Sequence, residues 1–178
     1  MRKLIATLAA LMLLAPAAAE ARTYGATTLT LDPGAVAALT GLGVTPAPIA
    51  PAAATPDGAL AFPITNKPFG ALLSGTIRHS GGISLTAGAT TVKLETFWID
   101  PMRRQLTALV GGARVPILAL DFSRTRVGLG GGTLRLGPVG GSLTAVAAGA
   151  LDSAFGLAPG TIPPGLKLGD ATVRYRLF

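Results

Sequence analysis

Frequent interruption by glycine and proline sets the first limit on how this chain can fold. Glycine (24 residues) and proline (14) take about a fifth of the 178 positions and cut the sequence into short runs. Both residues are costly inside helices, so a coiled coil or a long helical bundle is excluded. Neither recurs at every third position, which excludes collagen. With 49% hydrophobic and 13% charged residues and a mean hydropathy of +0.56, the composition is that of a chain with a core and not of a disordered one. The length suits one domain.

The first 21 residues read as an export signal. Arg2 and Lys3 form a positive start, residues 4–14 are apolar, and Ala19-Glu20-Ala21 supplies a small-x-small cleavage pattern. An eleven-residue apolar run is well short of the roughly 20 residues needed to span a bilayer. No later stretch is apolar for long enough either, so no transmembrane insertion is expected. The exported domain then covers residues 22–178, with 13 basic and 7 acidic groups and no cysteine. Its expected location is secreted or periplasmic, and its stability must come from core packing and backbone hydrogen bonds without disulfides.

Between the breaks lie strand-like runs at 27–31, 59–65, 72–79, 83–87, 91–99, 105–110, 115–122, 133–136 and 171–177. In 91–99 the alternation puts Val92, Leu94, Thr96 and Trp98 on one face and Lys93, Glu95, Phe97 and Ile99 on the other. Gly81-Gly82 reads as a hairpin turn, and Gly111-Gly112 and Gly130–Gly132 as looser ones. Two short helices are expected: one capped by Asp32-Pro33 and stopped by Gly43, the other running from Ser142 to Gly156. The stretch 47–56, rich in alanine and proline, reads as an extended connector. The fold class is mainly β: a single antiparallel sandwich or barrel domain with two short helices. The expected core includes Leu29, Leu31, Ile77, Leu94, Leu106, Val115, Ile117, Leu118, Leu120, Leu143, Leu151 and Val173.

The chemical inventory is thin. After residue 21 there is one histidine, His79, and seven carboxylates. Asp32, Asp57 and Asp100 have local roles as helix cap or turn residues, and Asp121 reads as the anchor of a turn at Ser123. His79 and Ser80 are strand neighbours and point apart, so they do not make a hydrolytic pair. Catalysis is the least supported class. Charge is concentrated late, with nine basic and four acidic groups in residues 100–178. By period two, Arg124 and Arg126 share a face, as do Arg174 and Arg176. If those faces adjoin they form a guanidinium patch suited to a small anionic ligand or an anionic envelope component; otherwise they are solvated strand faces. Export and the scarcity of stacking aromatics speak against nucleic acid.

Phe62-Pro63-Ile64-Thr65, then Gly75-Thr76-Ile77-Arg78-His79-Ser80-Gly81-Gly82, then an alternating strand and the run at Leu106–Val110, resemble the motif order of HtaA-type haem-binding domains. The resemblance spans roughly residues 59–155. It implies an exported bacterial β-rich protein that captures or relays haem, typically through a tyrosine ligand supported by a histidine. His79 would correspond to that histidine, and Tyr24 is the tyrosine upstream of it. Phe97 or Trp98 would line an apolar slot, and Arg124 and Arg126 would meet the haem carboxylates. Read from the residues alone, His79 is a hairpin residue exposed beside its turn. The expected function is an exported non-catalytic binding protein for an anionic or apolar small ligand such as haem; the alternative is a structural or adhesive envelope protein without a small ligand. N-terminal sequencing of the exported product should begin at Arg22; an intact Met1 would sink the signal assignment.

Overall fold

The computed structural model describes residues 23–67 and 75–177. The expected signal at 1–21 and the start of the run at 72–79 fall outside the described residues. The elements are β1 (Gly25–Leu31), α1 (Pro33–Gly41), β2 (Thr45–Ile49), β3 (Ala53–Ala54), β4 (Leu60–Pro63), β5 (Ile77–Arg78) and β6 (Gly82–Ala87). They continue with β7 (Thr90–Asp100), β8 (Gln105–Val110), β9 (Ala113–Asp121), β10 (Arg126–Gly130), β11 (Thr133–Leu143), α2 (Ala145–Ala154) and β12 (Lys167–Arg176).

Antiparallel pairing runs in the order β2-β6-β7-β8-β9-β11-β12-β1-β4-β3, with β5 beside β7 and β10 beside β11. The ends of this order approach each other. Ile64 bridges His79, the Thr65 N–H donates to the Arg78 carbonyl (2.9 Å), and the Ser80 N–H donates to the Pro63 carbonyl (3.1 Å). The sheet is therefore a nearly closed barrel, which settles the choice between sandwich and barrel.

The two helices rest on local chemistry. The Asp32 carboxylate accepts from the Gly34 N–H (2.9 Å), Pro33 opens α1, and Gly43 follows its end at φ +66°. Helix α2 begins at Ala145, later than expected. Ser142 and Leu143 stay extended because β9 on one side and β12 on the other both pair with this end of β11. The Thr144 hydroxyl accepts from the Ala147 N–H and donates to the Pro116 carbonyl (2.7 Å), so one cap also ties α2 to β9.

Three other expectations are corrected. The 47–56 stretch is not a plain connector: it carries part of β2 and all of β3, which pair with β6 and β4. Gly81-Gly82 does not reverse the chain. Both β5 and β6 pair with β7 along one edge, so the glycines mark an offset within a continuing line of pairing. A Cβ on Gly82 would lie 2.1 Å from the Leu94 carbonyl oxygen, which is why this crossing needs glycine. The face assignment in 91–99 also fails midway. Thr96 and Phe97 together face the single residue Ala108, a bulge with Thr96 at φ +47°. Alternation therefore slips: Leu94, Phe97 and Ile99 are buried while Trp98 is turned outward.

Arg114 repairs the bulge. Its guanidinium donates to the Thr96 carbonyl (2.9 Å) and lies 3.9 Å above the Trp98 ring, with Arg78 on the same ring at 4.6 Å. Of the expected core, Ile77, Leu94, Ile117, Leu118, Leu120, Leu143, Leu151 and Val173 are buried, whereas Leu29, Leu31, Leu106 and Val115 are half-buried.

Close strand contact at Gly25 gives a stability test. Its φ is +141°, and an added Cβ would meet the Arg174 carbonyl oxygen at 2.0 Å. Gly25→Ala should lower unfolding free energy by about 2–3 kcal/mol in urea titrations, and an unchanged midpoint would refute the β1–β12 register.

Candidate functional site

The barrel interior holds a narrow apolar cavity of about 80 Å³, bordered by Phe62, Leu94, Phe97, Ile117 and Val173 among others. A second chamber of about 100 Å³ adjoins it toward α1 and the loop after α2, sharing Leu29, Ile83, Leu94, Ile117 and Leu168. Asp152, 2% exposed, holds that loop by accepting from the Gly160 (2.7 Å) and Ile162 (2.9 Å) N–H groups. Phe62 and Phe97 meet edge to face with centroids 5.1 Å apart.

Two polar side chains face the first cavity, and they satisfy each other. His79 is 3% exposed, which removes the exposed-hairpin reading. Its Nδ1–H donates to the Phe97 carbonyl (3.0 Å), an acceptor that can take only this tautomer, so Nε2 accepts from the Thr27 hydroxyl (2.7 Å). Burial disfavours the imidazolium and outweighs the Phe97 hydrogen bond that supports it. The pKa falls from 6.5 to about 4.

Tyr24 does not reach this pair as His79's hydroxyl partner; that place belongs to Thr27. Tyr24 instead stacks on Tyr175 at the end of the barrel (centroids 6.4 Å apart, planes at 25°), with the Lys67 ammonium 5.5 Å from its ring. From there an apolar row crosses the sheet in register, through Tyr175 on β12 and Leu134 on β11 to Leu129 on β10. A second row beneath it runs Phe62, Thr27, Val173, Leu136 and Val127. The outer part of this surface is uncovered: Leu129 is 73% exposed and Val127 54%.

The remaining candidates lie elsewhere. Phe97 and His79 are brought together, but Trp98 sits on the outer face between two arginines. Arg124 occupies a turn and pairs with Asp170 at 3.2 Å, so it does not share a strand face with Arg126. Arg126 points to the outer face of β10, away from the apolar rows. Asp121 is exposed and holds the Ser123 turn through both oxygens (2.9 Å each), and those bonds lower its pKa. Sequence reasoning missed Thr27, Tyr175 and Leu129. The alternation of β12 marks Tyr175 as facing inward, whereas nothing in its residues marked β10 as a strand. Among the described residues no group of three or more His, Asp or Glu side chains is placed to hold a metal, and no helix is long and apolar enough to cross a membrane.

No family model matches the chain, and no curated protein does. Among solved structures, the crystal structure of the C-terminal domain of HtaA from Corynebacterium glutamicum is similar, with a TM-score of 0.60 over 86% of this chain and 97% of that one. The chain has an HtaA-type fold. At 14% identity the likeness is one of fold. Within this HtaA-type barrel the His79–Thr27 pair predicts a pH dependence. The folded pKa lies below the unfolded one, so stability is complete above pH 6.5 and is lost as pH falls toward about 4. The loss attributable to His79 should approach roughly 3 kcal/mol. In urea midpoints measured across this window, His79→Gln should show a shallower fall than the parent; equal slopes would refute the buried neutral ring.

Proposed function

We propose that the protein is an exported, non-catalytic binding protein that carries a flat apolar ligand of the haem type at the open end of its barrel. The observation that carries this reading is the exposed apolar pair Leu129 and Val127 on β10, which continues outward the buried rows that begin at the Tyr24–Tyr175 stack and at Phe62. Burial of such side chains is favourable, and two of them left open at the outer end of rows that begin at an aromatic stack have the character of a ligand seat. The HtaA-type fold supports the haem assignment, as does the motif resemblance around His79.

A fit test separates two places. The interior cavity, at about 80 Å³, is far below the ~300 Å³ at which ligand pockets begin, so a macrocycle does not enter it. The barrel end fits better. The two rows are buried along β1, β12 and β11 and become exposed on β10, where Leu129 and Val127 lie two residues apart on one face. Tyr24 offers a phenol as an axial-type donor, and Lys67 beside it offers an ammonium for a carboxylate. Haem bound there would supply an iron centre, which a phenolate ligand biases toward the ferric state. The chain's own residues would do the rest. Leu129 and Val127 would support one ligand face and exclude water, while His79 and Thr27 keep the underlying barrel closed.

Titration of the protein with hemin tests the reading. A saturable Soret-band change at micromolar protein is expected, weakened about tenfold or more by Tyr24→Phe or by Leu129→Asp. Leu129 is exposed enough for its replacement to leave folding intact. No saturable change, or a change indifferent to both substitutions, would remove haem.

A further inference from the structure

The opposite face of the same three strands has a different chemistry. Arg135 on β11 is directly across from Arg174 on β12, and Gly128 of β10 faces Arg135 from the other side. Arg126 and Arg176 lie two positions along from Gly128 and Arg174, on the same face. All four arginines are exposed. Neighbouring strands are about 4.8 Å apart and each residue advances about 3.4 Å along a strand, so the four guanidinium stems rise from a patch about 10 Å across the strands and about 14 Å along them, with Arg126 and Arg176 at opposite corners.

Ion pairing takes up only three cations of the described residues. Asp100 pairs with Arg103, Asp170 with Arg124 and Lys167, and Asp32 with Lys167. None of the four clustered arginines forms an ion pair among the described residues. Like charges directly opposite on a sheet are destabilising, so the Arg135/Arg174 register costs the free protein stability. Beside it, a groove of about 480 Å³ is lined by Arg174, Arg176, Thr23, Thr133, Ala26 and Pro63. Small uncharged residues of β1 and β4 thus bound the patch on one side, and on the other lies the outer edge of β10, which no strand among the described residues pairs. At its far end the Arg124–Asp170–Lys167–Asp32 cluster closes it with internally matched charge.

We propose that this outer face is a binding site for a compact group bearing two phosphates. Guanidinium groups bind phosphate oxygens through paired N–H donors, and two phosphates would span the Arg135–Arg174 repulsion while Thr133 and Arg176 line the groove. The patch is too short for an extended polyanion to gain from its length. The source of the group is either a soluble diphosphate or a phosphorylated lipid headgroup, and both present the same chemistry. The site goes beyond the barrel-end reading and does not depend on it, since it lies on the other face of the sheet.

Calorimetric titration of the ligand-free protein with pyrophosphate tests it. One saturable site is expected, tighter than that for orthophosphate and weakened about tenfold or more in Arg135→Gln/Arg174→Gln. The same double variant should unfold at an equal or higher urea concentration than the parent, because it removes the opposed charges. Arg103→Ala, outside the patch, should leave binding unchanged. Vesicles of cardiolipin, whose headgroup carries two phosphates, sedimented with the protein identify the source. Binding that pyrophosphate displaces indicates a headgroup, and absence of vesicle binding indicates a soluble diphosphate. No saturable pyrophosphate binding, binding unaffected by the double variant, or vesicle binding that pyrophosphate fails to displace would each overturn the proposal. Hemin and pyrophosphate titrations are separate, so failure of one leaves the other standing.

Discussion

The barrel depends on one short segment where three strands are tied through a single residue. The backbone N–H of His79 donates to Phe97 on β7, and its backbone bridges Ile64 at the end of β4. Its ring then reaches Thr27 on β1. Without these links the sheet would end in open edges on either side of the β4–β5 gap, and its apolar interior would face water. A histidine suits the place because its two ring nitrogens differ. One donates to a carbonyl already fixed by the bulge, and the other accepts from a hydroxyl fixed by β1. The same burial that makes the closure dry keeps the ring neutral.

Much of the architecture is legible in the sequence because turns and caps are local. Gly111-Gly112 joins β8 to β9 with positive φ at both residues, and Gly131-Gly132 does the same between β10 and β11. Asp32 caps the helix it marks. What was not legible arises from pairing between distant segments. The slip at Thr96 follows from the opposing residue Ala108 and from the reach of Arg114, neither of which alternation within 91–99 can express. The Gly81-Gly82 step resembles a hairpin in isolation, and only the shared partner strand β7 shows that the chain continues. Strand β10 escaped notice for a related reason. Its residues Arg126–Gly130 are all exposed, so no buried face imposes a period on them.

The candidate site was legible in its parts more than in its assembly. His79 was found because it is the one histidine of the described chain, yet its burial and its partner depend on β1. The arginine pattern gave Arg174 and Arg176 a common face, but the residue that joins them to Arg126 is Arg135, contributed by β11. The three-strand extension β10–β11–β12 thereby separates two chemistries by the thickness of one sheet. Its inner face continues the core outward as an apolar ledge, and its outer face concentrates positive charge. A ligand on either face is screened from the other by a wall of backbone hydrogen bonds.

The position of Trp98 bears on how the molecule can be watched. It is the single tryptophan in the sequence, and it is clasped between Arg78 and Arg114 on the outside of the bulge. Its fluorescence therefore reports the seam where β5 and β9 side chains meet over β7, not the filling of the interior or the apolar ledge. Melting of the β5–β7 pairing and of the bulge would release the indole from the two guanidinium groups, giving an intrinsic optical record of that seam without any added label.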